Sequence, residues 1–110
     1  MGKNKTLILL TTVWCVAVPV SVKACPDLGS YYPDSDEEWD SVEQALGPLL
    51  SQCSDSSEYF ALLGTAQLRG SDLGRALETL ELALLLDPKN GAALVDYAEV
   101  LFQQGQLLAA

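Results

Sequence analysis

The most regular feature of the chain is an apolar residue at every third or fourth position beyond residue 35. The first such stripe follows an acidic turn, Ser35-Asp36-Glu37-Glu38, and this spacing is typical of one face of an amphipathic helix. Ser35 and Glu38 fit a capping box, in which each side chain accepts a hydrogen bond from the backbone at a helix start. We therefore predict a helix with a buried stripe of Trp39, Val42, Leu46, Leu49 and Leu50.

The same spacing predicts three further helices, and each is bounded by residues that start or stop helices. The first spans 58–69 and ends at Gly70. The second is capped by Asp72 and ends at Asp87-Pro88, because the residue before a proline disfavours the helical region. The third begins after Asn90 and runs to about residue 104, with an inward face predicted as Leu94, Tyr97, Ala98, Leu101 and Phe102. Strand-type alternation is absent beyond residue 24, so the predicted fold class is all-α.

The sequence also repeats itself with a period of 34 residues. Leu63 corresponds to Tyr97, and Gly64 corresponds to Ala98. A large–large–small trio of Phe60, Leu63 and Gly64 precedes a second helix with a small–large–small stripe and a closing proline, formed by Ala76, Leu80, Ala83 and Pro88. These residues resemble the tetratricopeptide repeat (TPR), a helix–turn–helix unit with the same period. Gln67 departs from that pattern, which usually has an aromatic residue at this position.

The resemblance implies antiparallel helix pairs stacked into a solenoid. We predict a signal peptide at 1–24, an irregular lead-in and capping helix at 25–56, one repeat at 57–90 and a truncated second repeat at 91–110. The second repeat lacks its second helix, so we expect the leading fragment of a longer protein, or a partner that supplies the missing helix. Without that helix, apolar surface would be exposed at Leu94, Tyr97, Leu101, Leu107 and Leu108.

The resemblance also implies a function and a site. In this family the first helix of each pair lines a concave groove that holds a peptide or a helix, which implies a non-enzymatic protein–protein interaction scaffold. Arg69 is the one basic residue on the predicted wall, as an anion contact or as a solvated charge at a helix end, so a carboxylate clamp is not expected. The candidate groove residues are Glu58, Thr65, Arg69, Glu99, Phe102 and Gln103, with Ala61, Leu68, Ala92 and Val95 also predicted to face outward.

The first 24 residues have the three parts of a secretory signal. Lys3 and Lys5 precede a nearly uncharged apolar run over 7–22, and Val22-Lys23-Ala24 offers small side chains for cleavage. We predict a cut after Ala24 and secretion across the inner membrane to the periplasm or outer envelope, since the layout is similar to bacterial envelope proteins that begin with a TPR array. A retained signal anchor is the alternative.

Export changes both the charge and the cysteine count. Beyond residue 24, three basic residues remain against all 15 acidic ones, a formal balance of −12. Such a surface repels phosphate backbones, so we expect no nucleic-acid partner. Cys25 and Cys53 are the remaining thiols, and an oxidising compartment would join them as a disulfide. The alternative is a lipid on Cys25, which directly follows the predicted cut.

The composition offers few of the side chains that enzymes use for catalysis. The chain has no histidine and two exported thiols, too few ligands for a zinc site and no imidazole for acid–base work. We therefore predict no enzyme activity, no cofactor, no metal and no small-molecule substrate. The expected partner is a protein or peptide, with membrane contact only through the signal segment or a lipid on Cys25. The alternatives are a spacer or self-assembly module, and a docking arm of a larger envelope or secretion protein.

Overall fold

A computed structural model describes residues 24–109. It contains four α-helices: α1 (Trp39–Leu46), α2 (Ser57–Arg69), α3 (Leu73–Leu86) and α4 (Gly91–Ala109). These residues contain no β-strand, and the all-α prediction is confirmed. The predicted signal peptide, apart from Ala24, lies outside the described residues, as do Ala110 and the side chains of Leu107 and Leu108. Short 3-10 turns complete the described chain at Leu28–Tyr31, Asp36–Glu38 and Gly47–Leu49.

Helices α2 and α3 form the central pair of the fold. The Ser56 hydroxyl caps α2 by accepting a hydrogen bond from the Tyr59 amide at 3.1 Å, and Asp72 caps α3 in the same way. A Cβ atom at Gly64 would lie 2.7 Å from the side chain of Leu80, which is fully buried. The missing side chain at Gly64 therefore lets the two helices approach closely.

The turn between α2 and α3 differs from the sequence prediction. Gly70 has an ordinary φ of −83°, whereas Ser71 adopts the left-handed region with a φ of 64°. The Ser71 and Asp72 amides donate to carbonyl groups in the last turn of α2, each at 3.0 Å. Gly70 therefore follows the last residue of α2, but it is not the residue that needs a left-handed backbone.

Helix α1 packs against α2 with Val42 and Leu46 buried, as the stripe predicts. The Tyr59 hydroxyl of α2 donates a buried hydrogen bond of 2.7 Å to the Leu46 carbonyl oxygen, which fixes this contact. The predicted capping box is wrong, because the Ser35 side chain makes no cap hydrogen bond and the first turn is a 3-10 helix. Leu50 is also wrong as a buried residue, since it is half exposed beyond the turn that contains Pro48.

Helix α4 contacts both α3 and α2, but its buried face is not the predicted one. Ala93 and Val100 are fully buried, and Tyr97 packs between them against the core. These three residues form a stripe at i, i+4 and i+7. Tyr97 is the one predicted inward residue that belongs to it. The other four, which are exposed, are Leu94, Ala98, Leu101 and Phe102.

The lead-in is fastened to the helices by a disulfide between Cys25 and Cys53, as the cysteine count predicts. The two Cα atoms lie 4.8 Å apart, and Cys53 is fully buried in the turn before α2. Leu28 follows the first cysteine and is also buried in the core. A lipid on Cys25 would require this bond to be absent.

Candidate interaction surface

Helices α2 and α4 lie side by side and are joined by polar contacts on one face. The Thr65 hydroxyl is within hydrogen-bonding reach of the Asp96 carboxylate and of the Ala61 carbonyl oxygen. Arg69 forms an ion pair of 3.4 Å with Glu99. These contacts place Thr65, Arg69 and Glu99 of the predicted groove on one continuous wall, together with Asp96, which the sequence analysis did not select.

The wall is acidic. Its guanidinium, Arg69, is already paired with Glu99, whereas Glu58 and Asp96 have no basic partner among the ion pairs of the described residues. The Glu58 and Asp96 carboxylates also affect Tyr32 of the lead-in. Burial raises the pKa of the Tyr32 phenol above the ordinary value of 10.0, and the negative charges of these two carboxylates raise it further. Tyr32 therefore lies within electrostatic range of these two carboxylates.

Two residues predicted to face the groove are buried. Ala61 and Leu68 are each 4% exposed, so the prediction that they face outward is wrong. Their counterparts 34 residues later, Val95 and Phe102, are 70% and 65% exposed. The same position is thus covered in α2, which has α4 as a neighbour, and open in α4. Phe102 lies on this open side, about 60° around α4 from the position of Glu99 and about 100° from that of Gln103 when each residue turns the helix by 100°.

The open side of α4 is a second distinct surface, which we name the end face. It comprises Leu94, Val95, Ala98, Leu101 and Phe102. Phe60, the counterpart of Leu94, is 7% exposed in α2, whereas Leu94 is 48% exposed. Next to the end face, a cavity of about 340 Å³ lies between α3 and α4, lined by Glu81, Leu84, Leu85 and Tyr97.

Comparison with known proteins identifies the repeat. Residues 67–110 match the family model of the tetratricopeptide repeat. This segment is similar to a TPR. The match spans α3 and α4, and the resemblance predicted from the sequence is confirmed there. Neither the curated proteins nor the solved structures compared with this chain gave a significant match.

The TPR assignment supports the coarse functional prediction. TPR units generally mediate protein–protein contacts and are typically non-enzymatic modules, so an interaction scaffold is the function class that the family suggests. Within residues 24–109, no helix has the length and apolarity needed to cross a membrane. The same part of the chain contains no cluster of three or more side chains suited to a metal ion.

Sequence reasoning missed Asp96; on the end face it predicted exposed apolar surface at Leu94 and Leu101, as observed, but assigned Val95 and Phe102 to the groove. Asp96 lies next to the core stripe of α4, and its role depends on Thr65, which is 31 residues away. The end face was detectable, because a strict comparison at a 34-residue offset aligns Val95 and Phe102 with Ala61 and Leu68. That comparison assigns these positions to helix–helix contacts rather than to the groove.

Proposed function

We propose that this chain is an exported, non-enzymatic scaffold that holds a basic segment of another protein against the wall formed by α2 and α4. The residues that would meet the ligand are Glu58, Thr65, Arg69, Asp96, Glu99 and Gln103. Of these, Glu58 and Arg69 are exposed, and the rest are partly exposed. Phe102 is excluded from this set, because its position belongs to the end face.

The observation that carries the proposal is the charge of the wall. Three carboxylates (Glu58, Asp96 and Glu99) stand against Arg69, and Arg69 already pairs with Glu99 at 3.4 Å. A ligand carboxylate would meet net repulsion there, whereas a lysine or arginine would gain an attractive contact. The balance of −12 beyond residue 24 acts in the same direction over the whole surface and would speed the encounter with a basic partner.

Binding of a labelled peptide tests this proposal. We expect a Lys-rich peptide to bind the oxidised chain, an otherwise identical Glu-rich peptide not to bind, and the affinity to fall as salt rises. Glu58→Gln should weaken the Lys-rich peptide several-fold. The matched control is Glu37→Gln, which removes the same charge from an exposed residue in the turn before α1 and should change affinity much less. Equal binding of both peptides would contradict the proposal.

Export has its own test, the intact mass of the protein recovered from the envelope of an expressing bacterium. The proposal expects a mature chain that begins at Cys25, with two hydrogens missing for the disulfide. A mass that includes residues 1–24 would reject cleavage, and an added diacylglycerol mass would establish the lipid on Cys25 instead. Of the proposed boundaries at residues 24, 56 and 90, this measurement tests only the one at residue 24.

A further inference from the structure

The end face is apolar and carries no charge. Its two aliphatic leucines, Leu94 and Leu101, are 48% and 47% exposed, and Phe102 is more exposed still. Both leucines flank Tyr97 on the helix surface, at i−3 and i+4, and Tyr97 lines the cavity together with Leu84 and Leu85 of α3. Grouped apolar side chains of this kind mark a surface that another element covers.

The chain itself shows what kind of element fits there. Part of the equivalent face of α2 is covered by α3, which packs Leu80 against Gly64 and buries the small residues Ala76 and Ala83 on either side. The counterpart of Gly64 in the second repeat is Ala98, on the end face. A helix with the same small–large–small stripe would therefore meet α4 in the geometry in which α3 meets α2.

The carboxylates beside the cavity favour basic residues on either side of the apolar stripe of that helix. Glu81 lines the cavity together with Leu84, Leu85 and Tyr97, and Glu78 is exposed one turn earlier in α3. No described residue that lines the cavity is basic. An apolar slot with a carboxylate at its rim fits an apolar side chain followed by a lysine or arginine.

We propose that the end face and the adjoining cavity dock an amphipathic helix of a partner protein, with a small–large–small apolar stripe and basic flanks that contact Glu81. This surface is distinct from the acidic wall, because its two leucines lie about 140–160° around α4 from Asp96 and Glu99. A second copy of this chain is disfavoured as the occupant, since it would bring the same carboxylates and a formal charge of −12 beyond residue 24.

The probe is a synthetic 14-residue helix patterned on α3, which has that length. It carries Ala, Leu and Ala at its fourth, eighth and eleventh positions, as α3 does, and Lys at its exposed positions. We expect saturable binding to the oxidised 110-residue chain, with amide shifts concentrated in 81–105. A scrambled peptide of the same composition, which lacks the stripe, should bind at least tenfold more weakly.

Two variants with matched controls decide the site. Leu101→Gln should weaken binding of the Lys-flanked helix about tenfold. Leu82→Gln should not, because Leu82 is equally exposed at 46% but lies on α3, outside the end face. Glu81→Lys should weaken it more than Glu37→Lys, which changes the net charge equally. All four substituted residues are exposed, so the variants should fold, and the unfolding midpoint of each variant verifies this.

Three results would overturn the inference. The first is no saturable binding of the striped helix. The second is equal loss in Leu101→Gln and Leu82→Gln. The third is a dimer in sedimentation that Leu101→Gln converts to a monomer, which would make the end face a contact between copies. Glu58→Gln should leave binding of the striped helix unchanged within about twofold, so failure here and failure of the acidic wall are distinguishable.

Discussion

Ser71 holds the turn between α2 and α3 with a φ of 64°, a conformation that strains side chains other than glycine. Ser71→Gly removes the clash of the Cβ atom, so we expect the free energy of unfolding to rise by about 0.5–1 kcal/mol. The comparison is Gly70→Ala, where φ is −83° and the nearest atom to a new Cβ lies 3.5 Å away. That variant should be close to neutral. A destabilised Ser71→Gly in urea unfolding would contradict the strain argument.

Gly64 is the tightest point between α2 and α3. In Gly64→Ala the new methyl group would lie 2.7 Å from the Leu80 side chain, which is fully buried and has little room to move. We expect overpacking to lower the free energy of unfolding by about 1–3 kcal/mol, despite the better helix propensity of alanine. Gly74→Ala is the matched control, since nothing lies within 4 Å of its Cβ, and it should raise stability by up to about 1 kcal/mol. Equal effects of the two variants in urea would refute close packing at Gly64.

The buried phenol of Tyr59 makes the free energy of unfolding depend on pH in the alkaline range. Burial raises the pKa of its phenol above 10.0, so the unfolded chain loses this proton first and the folded state loses stability as the pH rises above 10.0. Tyr59→Phe should therefore show a shallower fall between pH 9 and 11, measured as the urea midpoint. At pH 7 the variant should be less stable by about 1–2 kcal/mol, because the Leu46 carbonyl oxygen loses its 2.7 Å donor. Parallel pH profiles for both proteins would contradict this assignment.

At the residue scale, local signals were predictable and distant pairings were not. Asp72 and Asn90 cap the helices that follow them, as expected, because a cap acts on an amide three residues away. Tyr59 and Asp96 were missed, since their partners Leu46 and Thr65 are 13 and 31 residues distant. No local pattern encodes such a pair.

At the scale of elements, the sequence predicts that α4 is a helix but not which face it buries. Apolar residues occupy both the stripe of Ala93, Tyr97 and Val100 and the neighbouring stripe of Leu94 and Leu101, so periodicity alone fits either face. The choice follows from contact with α2 and α3, which the first stripe makes. The 34-residue offset would resolve it, because Tyr59 and Ala66, the counterparts of Ala93 and Val100, are buried in α2.

Asn90 links three helices through one side chain. Its Oδ1 accepts from the Ala93 amide at 3.1 Å and its Nδ2 donates to the Ser57 hydroxyl at 2.9 Å. That hydroxyl donates in turn to the Ala83 carbonyl oxygen at 2.7 Å. Asn90→Ala should cost about 1–2 kcal/mol through loss of the cap and of the link.

Asn90→Asp separates the two contributions, because it keeps the cap oxygen and removes the donor. We expect its stability to lie between the parent and Asn90→Ala, since a negative charge also suits the start of α4. Thermal and urea unfolding of the three proteins measure this order. An aspartate variant as unstable as the alanine variant would mean that the bond to Ser57, rather than the cap, dominates.

At the scale of the whole molecule, the helical architecture follows from the 34-residue period, since a repeat specifies both its helices and their stacking. The candidate site was predictable only in part. Thr65, Arg69 and Glu99 do share a wall, whereas Ala61 and Leu68 are buried by the stacking itself. Exposure in a solenoid depends on whether a neighbouring repeat is present, and a single repeat cannot encode that.

The disulfide is the one covalent constraint between the lead-in and the helices, and its removal tests how far the lead-in supports the fold. Cys25 and Cys53 are separated by 28 positions, and closing a loop of this size should stabilise the folded chain by about 3.5 kcal/mol through the entropy of the unfolded state. We expect reductant to lower the urea midpoint accordingly. Cys25→Ala should reproduce that decrease and become insensitive to reductant, because Cys53 then has no partner in the described chain. If reductant leaves the parent midpoint unchanged while thiol counting shows that the bond is broken, the disulfide contributes nothing to stability, and the packing of Leu28 in the core would hold the lead-in.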